Sequence, residues 1–330
     1  MGLKLKDIHQ TVRSMLKNAD IESYDFETDI LLEEFCGVTK EEIVGMPEKE
    51  ITEKQYRETL DAATKRSTHY PLQYIIKTWD FFGLKLKVGK GVLIPRPDTE
   101  VLVEHCMEYL SHFERVGYRS IVDLCSGTGC IPLAIEDQMR KKIKMKIYAI
   151  EYDEQAYSYL VSNVKKFKSK VIYKQDDVLS ESTIKDYKNI DLIVSNPPYL
   201  TKSDMMKRQE EVTYEPFTAL YGGEDGLYFY RKIIHLWKGS LKKDGMLAFE
   251  VGKDQHNAVR DIFLENGFTD VAFRKDYAGI IRVVSAATES TTNASIPPER
   301  TSISAISSAC SPLSGCETSR LSISTPSAFA

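Results

Sequence analysis

Apolar positions change their period along this chain. Up to about residue 70 they recur at helical spacing: Ile8, Val12, Met15 and Leu16 share one face, and Ile30, Leu31 and Phe35 another. Two boxes, Thr39 with Glu42 and Thr52 with Gln55, mark helix starts, because each threonine and its partner three residues on satisfy one another's backbone N–H groups. The segment 1–70 therefore reads as a bundle of four or five short helices. Between 71 and 97 the period falls to two. In Phe82-Gly83-Leu84-Lys85-Leu86-Lys87-Val88 apolar and basic residues alternate as on a half-buried strand, and Gly89-Lys90-Gly91 reads as the turn into Val92-Leu93-Ile94. This predicts a β-hairpin linker. Pro95-Arg96-Pro97 ends it, and Asp98-Thr99-Glu100 offers capping oxygens and negative charge to a helix beginning near Val101.

From 98 to 285 short apolar runs alternate with amphipathic stretches. Strands are expected at 121–124, 146–150, 171–173, 192–194, 246–250, 271–274 and 281–284, and helices at 131–139, 154–164, 227–241 (capped by Asp225) and 255–264. Seven strands alternating with helices predict an α/β fold with a doubly wound sheet, in which ligands lie at the carboxyl ends of the strands. The connection 201–226 is too long and polar for a simple loop and reads as a lid or substrate-shaping element. At Ala286 the composition breaks: the last 45 residues hold 18 serines and threonines and no lysine, which predicts a disordered tail over 286–330. An extended or frameshifted reading frame would give the same composition.

A net charge of −4 leaves no basic footprint for direct nucleic-acid binding, and a protein partner fits better. No apolar run reaches membrane-spanning length and the first ten residues lack a signal-peptide core, so a cytoplasmic protein is expected. Six cysteines without a Cys-x-x-Cys pair point to free thiols in a reducing compartment, with no metal site. His9 and His69 stand alone in the helical segment, which is assigned to partner recognition, with stabilisation of the second domain as the alternative.

The chemistry concentrates where the strand at 192–194 runs into Asn196-Pro197-Pro198-Tyr199. The prolines fix the backbone and cannot continue the ladder. The Asn196 side-chain oxygen and the Pro197 carbonyl can each accept one N–H of an NH2 group, with the Tyr199 ring against its flat face. An amide nitrogen held this way is still a poor nucleophile and needs an activated electrophile, such as the sulfonium methyl of S-adenosylmethionine (SAM). A cofactor loop precedes it: Asp123-Leu124-Cys125-Ser126-Gly127-Thr128-Gly129 joins a strand to a helix, and glycines 127 and 129 let backbone approach a ligand. The spacing is not that of a dinucleotide fingerprint, and Asp123 suits a ligand bearing an ammonium group. Glu151, one βα unit later, is read as the acceptor of two ribose hydroxyls or as a helix cap. Asp177 is read as the acceptor of an adenine amino group, with Val178 against the ring, or as a simple turn acid. Arg96 is a surface charge or a contact to substrate or carboxylate.

Together these stretches resemble the HemK/PrmC family, protein-(glutamine-N5) methyltransferases acting on peptide chain release factors. The resemblance covers about residues 5–285 and is carried by Pro71-Leu72-Gln73-Tyr74-Ile75, Phe82-Gly83, Leu93-Ile94-Pro95-Arg96-Pro97-Asp98-Thr99-Glu100, the loop 123–129, Asn196-Pro197-Pro198-Tyr199, Glu215-Pro216 with Ala219-Leu220, and Gly222-Gly223 with Asp225-Gly226-Leu227. It implies a SAM-dependent methyltransferase domain behind a small helical domain, and as substrate the glutamine of a Gly-Gly-Gln motif. Cys125 to Gly129, Glu151 and Val178 match cofactor positions, Asn196 to Tyr199 match the glutamine site, and Arg96 and Phe82 fall on the substrate side. Val178 stands where the family often has an aromatic residue, the ending Asp276 to Arg282 lacks its usual polar middle, and the tail has no counterpart. A monomer is expected. The rival readings are an amino-methyltransferase acting on adenine in DNA or a base in ribosomal RNA, and a non-catalytic SAM-binding protein associated with the ribosome.

Overall fold

The computed structural model describes residues 2–112 and 117–288. Helices Leu5–Asn18, Tyr24–Cys36, Lys40–Gly45 and Glu53–Arg66 close around fully buried Leu5, Ile8, Val12, Leu16, Leu31 and Leu32, and Leu72–Ile76 leads out of the bundle. Both capping boxes form: Thr39 and Thr52 accept the N–H of Glu42 and Gln55 at 3.3 and 3.2 Å, and those side chains accept the threonine N–H at 3.1 and 2.9 Å.

The hairpin turns one segment earlier than the alternation suggests. Strand β1 (Thr78–Phe81) pairs antiparallel with β2 (Leu84–Lys87), and the turn is Phe82-Gly83, with φ of +50° and +77°. Two consecutive positive φ angles make the two-residue hairpin turn that matches strand twist, and Gly83 supplies one of them without strain. Phe82 is held there by its N–H donating to Glu100 Oε1 at 2.7 Å. Residues 88–96 form no strand; they run on as a strap fixed where the Tyr74 hydroxyl donates to the Val92 carbonyl at 2.6 Å. The next helix is Pro97–Ser111, starting four residues before the expected Val101. Pro97 occupies its first position, where the missing N–H would be unpaired in any case, so Asp98, Thr99 and Glu100 lie inside the first turn rather than ahead of it.

The main sheet comprises β3 (Tyr118–Leu124), β4 (Lys144–Glu151), β5 (Ile172–Gln175), β6 (Ile190–Ser195), β7 (Leu241–Glu250), β8 (Asp270–Lys275) and β9 (Ile281–Ala287), in the order β5-β4-β3-β6-β7-β9-β8. The first five are parallel along the sheet and β9 is antiparallel to both neighbours. Successive side chains point to opposite faces, so Ile121, Leu192, Val194 and Ala248 enter the cluster under helices Pro97–Ser111, Cys130–Met139 and Glu154–Lys166. Val122, Ile193, Leu247 and Phe249 enter the cluster under Tyr228–Trp237 and His256–Glu265. Chain order reverses between β3 and β6, which opens a crevice at their carboxyl ends.

The expected helix 227–241 is shorter, Tyr228–Trp237 followed by a 3-10 turn, and Asp225 accepts the Leu227 N–H at 3.1 Å. The 201–226 connection is ordered by helices Lys202–Lys207 and Phe217–Leu220 and a 3-10 turn at Glu211–Tyr214. Strand β9 passes the expected boundary at 285: Ala286 is fully buried and pairs with Leu247 and Val271. Residues 289–330 of the expected tail lie outside the described residues.

Candidate functional site

At the crevice a cavity of about 550 Å³ opens over the carboxyl ends of β3, β4 and β6. Its base is the loop after β3, where Cys125 and Gly127 take φ of +61° and +55° and line the cavity with Ser126 and Thr128. Gly129 does not line it: a Cβ there would come within 2.6 Å of Leu160 Cδ1, so this glycine serves close packing of helix Glu154–Lys166 rather than approach to a ligand. Asp123 also sits behind the loop, fully buried; one carboxyl oxygen accepts the Ser126 hydroxyl, the other has no partner among the described residues, and burial pushes its pKa well above the usual range.

Glu151, at the end of β4, lines the cavity and braces the loop, accepting the Gly127 N–H at 2.7 Å and the Asp153 N–H at 2.8 Å. Burial raises its carboxyl, and those backbone N–H groups oppose the shift. A carboxylate has about four acceptor positions, so two remain for hydroxyls. Asp177 lies at the rim, with Oδ1 taking the Leu179 N–H at 2.8 Å. Buried Val178 lines the wall and is fixed by Trp237 Nε1 donating to its carbonyl at 2.7 Å.

Across the cavity, Asn196 and Pro198 line the wall. The Asn196 amide nitrogen donates to Thr99 Oγ1 at 3.2 Å, which leaves its oxygen as the unsatisfied end. Pro197 is buried and outside the lining, and no donor among the described residues reaches its carbonyl. Tyr199 is likewise outside the lining of the open cavity, and its hydroxyl is directed to Glu250 Oε1 at 3.5 Å. Phe82 is also absent from the lining and packs on the core at the hairpin turn. Arg96 does line the cavity, and its guanidinium pairs with Glu215, whose other oxygen accepts the Ile94 N–H at 3.1 Å. That buried carboxylate ties the strap 88–96 to the segment around Pro216 and Phe217, which forms the opposite rim.

Sequence reasoning missed four residues that shape this site. The sequence pattern reads Thr99 as a helix cap, Glu215 only as part of a motif, and Glu250 only as a strand end. Asn163 is fully buried on helix Glu154–Lys166, where it exchanges hydrogen bonds with Lys87 at 2.7 and 3.0 Å and donates to the Thr128 carbonyl at 3.0 Å, joining hairpin to loop. An amide on the apolar side of a helix was the available signal.

Residues 7–76 match the family model of the PrmC N-terminal domain, and residues 99–215 match that of the methyltransferase small domain. A release factor glutamine methyltransferase of Clostridium acetobutylicum is 36% identical over 285 residues, covering 86% of this chain and 98% of the relative. One from Thermodesulfovibrio yellowstonii is 38% identical over 269 residues, covering 80% and 94%. Among solved structures, the hMettl16 catalytic domain in complex with MAT2A 3'UTR hairpin 6 superposes with a TM-score of 0.51 at 15% identity, covering 72% of this chain and 82% of that one, a likeness of fold alone. The order of the two matched domains and the extent of these alignments place the chain in the release factor glutamine methyltransferase family.

Proposed function

We propose that this enzyme transfers a methyl group from SAM to the side-chain amide nitrogen (N5) of the glutamine in the Gly-Gly-Gln motif of peptide chain release factors. The observation that carries the reading is the orientation of Asn196: with its NH2 given to Thr99, the carbonyl oxygen is the end available to an incoming N–H donor. The Pro197 carbonyl, which no donor among the described residues reaches, is assigned as the second acceptor although the residue itself stands outside the lining of the open cavity, and the names of the relatives support the substrate.

The residues present fit SAM. Glu151 retains acceptor capacity for two ribose hydroxyls, Asp177 at the rim suits an adenine amino group, and Asp123 keeps a buried oxygen beneath the loop for the field of an ammonium. The volume lies within the range of small-molecule sites. When bound, the cofactor supplies a methyl group on a sulfonium, an electrophile strong enough for an amide nitrogen.

The chain's own residues orient the nucleophile and stabilise charge. As the nitrogen becomes more positive, hydrogen bonds from its two N–H groups to the Asn196 oxygen and the Pro197 carbonyl strengthen. Holding the amide in line and excluding water supplies the remainder of the gain. No strong base is required, because the methylated amide loses its extra proton to water. The test is incubation with SAM and release factor, followed by mass spectrometry of tip peptides. A methyl on the Gly-Gly-Gln glutamine is expected; methylation of adenine in DNA or of a ribosomal RNA base, with the peptide untouched, would transfer the site to the amino-methyltransferase reading.

A further inference from the structure

The Asn196-Pro197-Pro198-Tyr199 stretch is held at both ends. Ahead of it, the buried Ser195 hydroxyl donates to the Leu124 carbonyl at 2.6 Å, which ties the end of β6 to the end of β3. Behind it stands Gln255, half-buried at the start of helix His256–Glu265 and outside the cavity lining. Its side-chain oxygen accepts the Gly252 N–H at 3.0 Å, and its NH2 donates to the Tyr199 carbonyl at 2.9 Å and to the Gly226 carbonyl at 3.4 Å. One amide thus joins the loop after β7, the exit of the motif and the turn 222–226, whose Gly223 lines the cavity. We propose that Gln255 is a positioning residue for methyl transfer: its NH2 fixes the Tyr199 carbonyl, and with it the backbone that aims the Asn196 oxygen and the Pro197 carbonyl at the substrate amide.

The orientation of Gln255 follows from donor counting. A backbone N–H only donates and a backbone carbonyl only accepts, so Gly252 selects the amide oxygen while Tyr199 and Gly226 select the NH2. The flipped amide would set donor against donor and acceptor against acceptor. The rings of Pro197 and Pro198 fix their own φ, and Pro198 keeps the residue before it extended. The freedom left in the motif is at ψ of Pro198 and at Tyr199, and the bond to the Tyr199 carbonyl removes it.

The turn 222–226 closes on the motif from the other side. The Leu200 N–H donates to the Leu220 carbonyl at 2.8 Å, and the Gly222 N–H donates to the Leu200 carbonyl at 2.9 Å. A Cβ at Gly222 would lie 2.6 Å from the Pro198 carbonyl oxygen, and one at Gly226 would lie 2.5 Å from Gln255 Nε2, so only glycine lets the turn approach this far. Gln255 therefore holds the acceptor backbone and the cavity rim in one arrangement. This deepens the methyl-transfer reading and rests on it.

The experiment uses the full chain with SAM and a Gly-Gly-Gln peptide. Gln255→Met has similar reach without donor or acceptor; Gln255→Glu is isosteric and keeps an acceptor for the Gly252 N–H but turns an oxygen toward the two carbonyls. Each removes the bond to Tyr199. Both variants should lower kcat about ten- to a hundredfold when turnover is counted per SAM-binding site, with SAM affinity and peptide KM little changed. A residue serving stability alone would reduce the number of SAM-binding sites and leave kcat per site intact, and that result in either variant overturns the proposal. The isotopically labelled carbonyl carbon of Tyr199 reads the bond without activity: its NMR resonance should move upfield in both variants, and an unmoved resonance overturns the proposal. A moved resonance together with a wild-type enzyme that methylates no glutamine would instead overturn the methyl-transfer reading, while the hold of Gln255 on the motif stands.

Discussion

Removing the Arg96 guanidinium should unlatch one rim of the cavity. The Glu215 side chain is 2% exposed and that of Arg96 is 24%, so the two ends of the pair are unequal. In Arg96→Met the Glu215 carboxylate keeps only the Ile94 N–H at 3.1 Å, and an uncompensated buried charge costs about 3–5 kcal/mol. The chain can escape part of that cost by letting Glu215 swing out to water, so the penalty will appear first as local opening of the 211–221 segment and only partly as lost global stability. In Glu215→Gln the remaining cation is already at the cavity edge and can be hydrated, and about 1 kcal/mol is expected, the scale of a partly exposed pair. The double variant should be more stable than Arg96→Met alone, with a coupling of about 2 kcal/mol. Denaturant unfolding measures the cycle, hydrogen exchange of the 211–221 amides measures the opening, and peptide turnover should fall with it. Additive single losses and unaltered exchange would refute the latch.

Glu151→Ala should weaken SAM binding by about 1.5–3 kcal/mol, the scale of charge-assisted hydrogen bonds; unchanged affinity by calorimetry would remove Glu151 from the cofactor site. Arg66 joins Glu27 inside the helical domain at 2.5 and 3.1 Å and Glu211 of the catalytic domain at 3.0 Å, where the Tyr70 and Tyr214 rings also meet, so Arg66→Ala should cost about 3 kcal/mol and slow turnover even on a short peptide. Full peptide turnover in that variant would restrict the helical domain to recognition of a larger substrate. Truncation after Thr288 should leave melting temperature and activity unchanged, whereas truncation after Ser285 removes buried Ala286 and the Thr288 bonds to Lys242 and Gly245, a loss of about 2 kcal/mol. Equal melting temperatures for the two truncations would contradict that assignment of the last strand.

The order and type of the main elements were legible because each strand of the sheet is a short apolar run and each helix carries one apolar face. Burial acts on those patterns directly, as in the alternation of Ile121 and Val122 between the two clusters. Misplacements occurred where backbone conformation outweighed periodicity. Phe82 alternates with Leu84 and Leu86 on paper, yet positive φ at Phe82 and Gly83 puts the turn there. Pro97, which the sequence pattern puts at the end of the hairpin, opens the helix. Glu151 and Asn196, at strand ends, both line the cavity because topology brings strand ends together. Thr99, Glu215 and Glu250 escaped because their roles arise from contacts across 97, 119 and 51 positions of chain, which no local pattern encodes. Tyr199 follows Asn196 closely in sequence yet stands outside the cavity lining, for the same reason.

The claim on which the account rests is that the Asn196 oxygen receives the reacting amide. Its most direct measurement is single-turnover methyl transfer from labelled SAM to a Gly-Gly-Gln peptide by wild type and Asn196→Ala, with SAM affinity measured alongside. Loss of one preorganised transition-state hydrogen bond should slow the variant about a hundred- to a thousandfold while SAM affinity changes little. Methylation of the glutamine at the wild-type rate by Asn196→Ala would contradict the account.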